Sequence, residues 1–439
     1  ELYRRRFLPD ETADVRLYGL GVNDQFLISG ADHAAINVRM IGGSGEDLVV
    51  NEGRGSTTYY DTDAGNDVSA AGRTRLELSD DPANNRYEPE DHRHPRTIPG
   101  VMPGYSSTDG VVIGASLTFH RPGFRRHPWA FTHHLAASYA TGTNGVAGQY
   151  RARVYDAFGE EWDAVFDVSG SSAYISYFHG FGNEITIVEP PGSFYHAGLA
   201  EVEAGLSVIR RVEQSIEFQV GGGGAYRNVQ EDSTRFIDTP AAGLSPDVFD
   251  GAFFASGFAA LTLNAVDNVV NPRQGFKWSN RLDLHGGIND PASTFLAAGS
   301  DLAVFVSPRL DPQLTLAGRL GVGHNFGDFP FYEAQNLSGN SNLRGLRRNR
   351  YNGRTVAFQN LEARARMIEK ISRTFPITVG ILGFVDNGRV WTDGESSSVW
   401  HQGYGGGLWF TVLDLSVASA TVAQGDDGLQ FIFGLDFFY

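Results

Sequence analysis

Between residues 355 and 367 the chain alternates strictly. Ala357, Leu361, Ala363, Ala365 and Met367 occupy one row, and Asn360, Glu362, Arg364 and Arg366 occupy the other. A period of two belongs to a β-strand, whose successive side chains point to opposite faces, and a slip of one residue would carry the charges onto the apolar face. The pattern recurs upstream. Val111, Ile113, Ala115, Leu117 and Phe119 form one row, as do Trp162, Ala164, Phe166 and Val168 opposite Glu161, Asp163 and Asp167. Leu314, Leu316, Leu320 and Val322 form another, opposite Thr315 and Arg319. At the C-terminus Phe431, Phe433, Leu435, Phe437 and Tyr439 fall on one face, with Gly434 and Asp436 on the other. Strands are expected to begin near 110, 129, 146, 161, 172, 198, 214, 252, 273, 297, 313, 354, 374, 401, 411 and 429.

No segment supplies the roughly 20 apolar residues of a spanning helix. The best candidate, 253 to 266, is short and carries Ser256, Thr262 and Asn264. A closed barrel is the other structure that satisfies every backbone group in lipid. A soluble sandwich or propeller would alternate too, but with its polar row in water. On the strand near 374 that row carries Phe384 beside Gly380 and Asp386, opposite Ile377, Val379, Ile381 and Val385, a set that reads as lipid-facing. The 30 Phe, 17 Tyr, 6 Trp and 54 Gly agree with aromatic, glycine-punctuated strands. The reading is therefore all-β: an antiparallel transmembrane barrel of about 16 strands over 101–439, preceded by a small β-rich segment over 1–100. An unpaired edge cannot face lipid, so the strand ending at Tyr439 is expected to pair back to that at 110–120. The net charge of -16 argues against a nucleic-acid partner, and the absence of cysteine excludes disulfides and thiolate metal sites. The first residue is Glu1 with no export signal before it, so a processed or truncated N-terminus is expected.

Three segments stand apart from the strand pattern. Asn342-Leu343-Arg344-Gly345-Leu346 lies in a long polar connection from about 327 to 353, Asn360-Leu361-Glu362-Ala363-Arg364 follows it, and Gly383-Phe384-Val385-Asp386-Asn387-Gly388 comes next. A loop of that length without strand pattern is usually functional. Arg344 needs an anion if it leaves bulk water, and alternation places both Asp386 and Glu362 on the inward row. The competing reading makes Arg344, Arg347, Arg348 and Arg350 a solvated basic tip touching lipopolysaccharide phosphates. In order and spacing these segments resemble the BamA/TamA-type superfamily of outer-membrane insertion and translocation barrels. There a Val-Arg-Gly-Tyr/Phe loop tip folds into the lumen onto a strand bearing Phe-x-Asp; here Leu346 replaces the aromatic. The resemblance implies an inward loop locked through Arg344, Gly345 and Leu346 against Phe384, Asp386 and Glu362. It also implies a sorting signal ending in Phe437 and Tyr439, and a seam between first and last strands as the working part. It implies residence in the outer membrane of a Gram-negative bacterium. The implied surroundings are outer-membrane lipid and lipopolysaccharide, with outer-membrane protein clients or accessory subunits as partners.

Residues 42 to 50, Gly-Gly-Ser-Gly-Glu-Asp-Leu-Val-Val, match the nonapeptide β-roll repeat, in which aspartate offers oxygens to Ca²⁺. A degraded copy, Gly19 to Phe26, lies 23 residues earlier, and β-rolls need consecutive repeats, so the two copies are not expected to share an ion in the usual way. Asp61, Asp63 and Asp67 add carboxylates, giving Asp24, Asp47, Asp61, Asp63 and Asp67 as candidate calcium ligands. The alternative is plain tight turns between short strands. The pairs His92/His94 and His133/His134 have metal-like spacing but read as solvent or rim histidines. No Gly-x-Ser-x-Gly, His-Glu-x-x-His or phosphate loop occurs, so no enzyme is expected within these residues.

Three functions stay open: an insertion or translocation barrel, a passive diffusion pore, and an anchor for an attached domain. The Arg-Gly loop favours the first over the second, which wants a lumen free of a long inward loop. The third gains from residues 1–100, which lack the helix-and-strand pattern of periplasmic POTRA repeats. The Tyr-Gly-Leu-Gly and Ile-Gly-Gly-Ser-Gly region resembles the connector of barrels that follow a calcineurin-like phosphoesterase. The first segment is expected at the periplasmic mouth. The calcium reading predicts a binding heat in calorimetry and a melting temperature lowered by chelator; no heat and an unmoved melting temperature would remove it.

Overall fold

The structure is a computed structural model. It describes residues 3–30, 36–87, 94–106, 109–159, 161–185, 193–213, 215–289, 292–308, 313–370, 377–412, 416–434 and 436–439. The chain divides into two compact units, Glu1–Arg93 and His94–Tyr439.

The first unit contains seven short strands: β1 (Asp14–Tyr18), β2 (Gln25–Ile28), β3 (Asn37–Ile41), β4 (Leu48–Asn51), β5 (Thr57–Asp61), β6 (Asp67–Ala70) and β7 (Arg75–Leu78). Odd-numbered strands form one parallel sheet, β1-β3-β5-β7, and even-numbered strands another, β2-β4-β6. Each circuit of the chain thus adds one strand to each sheet, which makes a small β-solenoid around Met40, Val49, Tyr59 and Ala71. Asp14 lies opposite Asn37 and Gln25 opposite Leu48, so the 23-residue spacing of the two glycine-rich copies is one circuit. The copies are stacked on each other. Asp47 accepts a hydrogen bond from the backbone N–H of Asp24 at 2.8 Å, Asn23 accepts one from Glu46 at 3.1 Å, and Asn66 accepts one from Asp47 at 2.9 Å.

The second unit holds sixteen antiparallel barrel strands. They are β8 (Arg96–Ser106), β9 (Gly110–Gly123), β10 (Arg126–Ala140), β11 (Gly145–Val154), β12 (Trp162–Tyr177), β13 (His196–Val212), β14 (Ile216–Val229), β15 (Ala252–Val266), β16 (Gly275–Gly287), β17 (Phe295–Val306), β18 (Leu314–Gly327), β21 (Thr355–Lys370), β22 (Ile377–Trp391), β23 (His401–Val412), β24 (Ser416–Gly425) and β25 (Gly428–Gly434); β19 (Gln335–Leu337) and β20 (Tyr351–Gly353) pair within the long connection. The alternating rows behave as the sequence requires. Ile113, Leu320, Leu361 and Ile381 are exposed on the outer face, while Asn360, Glu362 and Arg364 are buried inside.

The strand count matches expectation, but two boundaries behind it do not. The first barrel strand is β8, starting at Arg96 rather than near 110; its Pro99 and Pro103 are tolerated because it is an edge. The starts placed at 161 and 172 belong to one strand, β12, because Ser169-Gly170-Ser171 keeps pairing with Val202 and its neighbours, and a register shift before Tyr174 absorbs the irregularity. The start at 411 corresponds to β24, which begins at Ser416. The seam also differs. β25 and β8 are the two ends of the hydrogen-bonded order, so the barrel is nearly closed and β25 does not pair with 110–120. Tyr439 lies beyond β25 and does not continue its row. Its hydroxyl donates to the carbonyl of Ala317 at 3.0 Å, and Phe437 is buried against Trp409. Leu435 lies outside the described residues.

Inside the solenoid the Asp47 and Asp61 carboxyls face each other across the Tyr59 hydroxyl, which lies within hydrogen-bond distance of both. Burial pushes the Asp47 carboxyl above its usual range, against the lowering effects of the Asp24 N–H and the Tyr59 hydroxyl, and the nearby Asp61 charge pushes it the same way as burial. A raised folded-state value means the native state holds the proton more tightly. The stabilisation is therefore complete below the ordinary carboxylate range and is lost as pH rises through the raised value. Melting of the solenoid followed from mild acid to neutrality is expected to show this decline, and Asp47→Asn is expected to flatten it.

Candidate functional site

The sixteen strands are joined consecutively, so the connections that follow the first, third and every second strand thereafter, counted from β8, all lie at one end. Three of them meet there: Asp109 after β8, the long connection 328–354 after β18, and Asp426-Asp427 after β24. The tip of the long connection packs against Glu362 of β21 and Asp386 of β22, both on the buried row. Leu337, Leu343, Leu346, Tyr351, Val356 and Val390 form a buried apolar cluster that holds its body against β21 and β22. Leu346 therefore packs in an apolar cluster that includes the Tyr351 ring.

Arg344 is the centre of the site, 2% exposed. Its Nε and Nη2 donate to the two oxygens of Asp386, each at 2.8 Å, and its backbone N–H donates to Asp386 Oδ2 at 3.0 Å. Its Nη1 donates to Glu362, which also accepts from Arg364 Nε at 2.6 Å. Two guanidinium groups and two carboxylates thus balance in a buried row, with Asp386 in the bidentate geometry that suits arginine. The Arg344 guanidinium lies 3.5 Å from the centre of the Phe384 ring and 4.5 Å from that of Phe438, and Arg364 lies 3.6 Å from that of Phe437. The backbone comes equally close. Gly345 has φ +95°, and a Cβ there would stand 2.8 Å from the Gly425 nitrogen.

Arg344, Gly345, Leu346, Phe384, Asp386 and Glu362 are therefore gathered in one place, with Asp386 and Glu362 as simultaneous partners of Arg344. Arg350 is also buried, at 3% exposure, so the tip is not a solvated basic cluster. Six participants had no sequence signal: Asp109, Tyr351, His401, Asp426, Asp427 and Phe438. Arg348 pairs with Asp109 at 2.7 Å, and Arg350 pairs with Asp427 at 3.0 Å. Asp426 accepts from Tyr351 at 2.9 Å and hydrogen-bonds His401 at 2.6 Å. Phe438 stacks on Arg344 because the chain end folds inward. Of the candidate calcium ligands, Asp47 and Asp61 face each other and Asp24 joins them through its backbone, while Asp67 turns to Ser69 at 2.6 Å. No group of three or more metal-ligating side chains, Asp63 included, converges among the described residues. His133 and His134 diverge, bonding Tyr150 at 2.7 Å and Thr118 at 2.9 Å. His94 is exposed, and His92 lies outside the described residues.

A family model described as the Omp85 superfamily domain matches residues 101–435, the barrel almost end to end. The chain belongs to the Omp85 superfamily. Among solved structures, this Omp85 chain is similar to BamA from Haemophilus ducreyi lacking POTRA domains 1-3, at 14% identity and a TM-score of 0.54, over 77% of this chain and 69% of that one. It is also similar to CdiB from Escherichia coli, at 14% identity and a TM-score of 0.52, over 77% of this chain and 61% of that one. At such identities the likeness is one of fold. No curated protein matches the chain in sequence. The barrel is thus a bacterial outer-membrane barrel of the Omp85 type.

Removing either member of the buried pair strands its partner, at a cost of about 3–5 kcal/mol where the site is dry. Arg344→Ala and Asp386→Ala are each expected to lower the temperature at which the barrel unfolds in detergent. The double variant should be scarcely worse than either single one, as coupled residues require. Additive losses would show that the two side chains act independently.

Proposed function

We propose that this Omp85 barrel inserts or translocates client proteins at the outer membrane of a Gram-negative bacterium, working through its lumen loop and the seam between its first and last strands. The observation that carries the reading is the seam itself. Where β25 and β8 approach, a cavity of about 690 Å³ is lined by Met102 and Tyr105 of one edge, Phe431 and Phe433 of the other, and Arg347 and Arg348 of the loop tip. A membrane protein keeps such a lateral break at a cost, since lipid offers its edge groups no hydrogen bonds. A barrel that only let solutes diffuse would gain by zipping the break and emptying the lumen, which the burial of Arg344 against Glu362 and Asp386 speaks against. The implied partners are unfolded outer-membrane proteins meeting the seam, accessory subunits, and lipopolysaccharide around the rim.

An anchoring role has one observation in its favour, the solenoid that stands directly before the barrel. A solenoid offers stacked edges and turns but no helical groove for an extended client. In that reading the barrel would carry an attached domain, such as a phosphoesterase, and the seam would have no traffic.

The purified chain in liposomes separates the readings. Addition of a urea-unfolded outer-membrane protein is expected to give at least a tenfold faster appearance of its folded, protease-resistant form than liposomes alone. A disulfide across the seam, between cysteines at Val101 and Phe431, is expected to abolish the acceleration until reductant is added. Equal rates with the seam locked and unlocked, or with and without the barrel, would leave the anchoring role.

A further inference from the structure

The two edges of the seam are not equivalent. In β9 both the carbonyl and the N–H of Val111 point towards Thr141, so the backbone of the odd-numbered residues of this strand faces β10. The even-numbered ones, Val112 to Thr118, face β8, opposite Gly104, Met102, Gly100 and Ile98. The backbone of Thr97, Pro99, Val101, Pro103 and Tyr105 therefore faces the seam. Pro99 and Pro103 have no N–H to give, so the β8 edge offers donors only at Thr97, Val101 and Tyr105, every second donor of a regular ladder being missing. β25 contains no proline and keeps its full set. A regular antiparallel ladder between the two edges is thus blocked by the sequence of β8 alone, which accounts for the absence of pairing between them among the described residues.

Something else holds the banks together, and the loop tip touches both. Arg348 bonds Asp109 through both terminal nitrogens, at 3.2 and 2.7 Å, and Asp109 closes the β8–β9 hairpin. Two residues on, Arg350 Nε donates to Asp427 at 3.0 Å, and the Arg347 N–H donates to the same carboxylate at 2.8 Å; Asp427 closes the β24–β25 hairpin. The first and last hairpins are therefore bridged by four consecutive residues, each bank presenting an aspartate to a cation of the tip. Without those cations the two carboxylates would repel across the gap. The Arg350 pair is buried, at 4% side-chain exposure on both sides, so water screens it little.

We propose that the tip of the lumen loop is a clasp that holds the seam shut in place of a backbone ladder, with Arg348 and Asp109 on one bank and Arg350 and Asp427 on the other. Pro99 and Pro103 make the clasp necessary, and the buried Arg344 site sets the depth at which the tip reaches both hairpins. The clasp concerns how the seam is kept closed and stands whether or not a client passes through it.

The whole chain in lipid nanodiscs, without any client, provides the test. It contains no cysteine, so nitroxide labels at Val101→Cys and Phe431→Cys, both exposed outward, report seam width alone. Pulsed electron–electron distance measurement is expected to give one narrow population in the parent. Arg348→Ala is expected to broaden it and lengthen the mean by about 5 Å, one strand spacing. Asp109→Asn, a change confined to a hairpin turn, is expected to act in the same direction and serves if Arg348→Ala fails to fold. The exchange Arg348→Asp with Asp109→Arg is expected to restore the parent distance. Pro99→Val with Pro103→Val, by returning the missing donors, is expected to close the seam in the Arg348→Ala background. An unchanged distance in folded Arg348→Ala or Asp109→Asn overturns the clasp. So does a charge exchange that restores nothing, or a proline replacement that leaves the seam open. A client-folding assay that fails while these distances shift would count against the insertion reading and not against the clasp.

Discussion

Everything in the barrel follows from the need to satisfy backbone hydrogen bonds where no water is available. Lipid allows a strand to cross only if its neighbours on both sides accept and donate, and fifteen consecutive pairings from β8 to β25 meet that demand. The alternation of side chains is a consequence of the same ladder. Once the backbone is fixed in the sheet, one row must meet acyl chains and the other the lumen, which is why Leu361 lies outside while Glu362, its neighbour, is buried. Among the described residues the ladder has one break, between β25 and β8, and in the proposed clasp side chains take the place of backbone there.

Those side chains belong to a loop that would otherwise have no reason to be inside. Burying a guanidinium is costly unless its donors are used, and Arg344 uses Nε, both terminal nitrogens, its own N–H and the faces of two aromatic rings. The carboxylates that receive it sit on β21, into which the loop returns, and on its neighbour β22. The charge pair therefore acts as a register mark. It fixes which residues of the loop reach the hairpins beyond, and the apolar cluster around Leu337 and Leu343 supplies the cohesion.

The rows and the central pair were legible because each rests on local periodicity or on adjacent residues. Arg344, Asp386 and Glu362 could be matched from alternation and a short motif, since the strands that carry them are long and regular. What escaped depends on tertiary choice. Pro99 and Pro103 read as interruptions until β8 is known to be an edge, and Ser169-Gly170-Ser171 reads as a turn until β13 is seen to pair straight through it. Phe437 fits an outward row by counting, but the backbone leaves the sheet after Gly434 and the ring turns inward. Asp109 and Asp427 carry no local sign at all, since an aspartate in a hairpin turn needs no second purpose. In the first unit the 23-residue spacing was visible, but the next circuit is shorter, with Val38 opposite Thr57, so the repeat fades before its parallel stacking becomes apparent.

The prolines of β8 have a consequence for the molecule before it reaches the membrane. A strand edge with a full row of donors and acceptors invites any other extended chain, including another copy of itself, to add to it. Every outer-membrane barrel crosses an aqueous compartment with its strands not yet closed, and a chain that stays open afterwards carries that hazard for life. With two of five donors deleted, the exposed edge of β8 is a poor template for a second copy. The break in the wall is therefore compatible with a protein that remains a single, unaggregated chain.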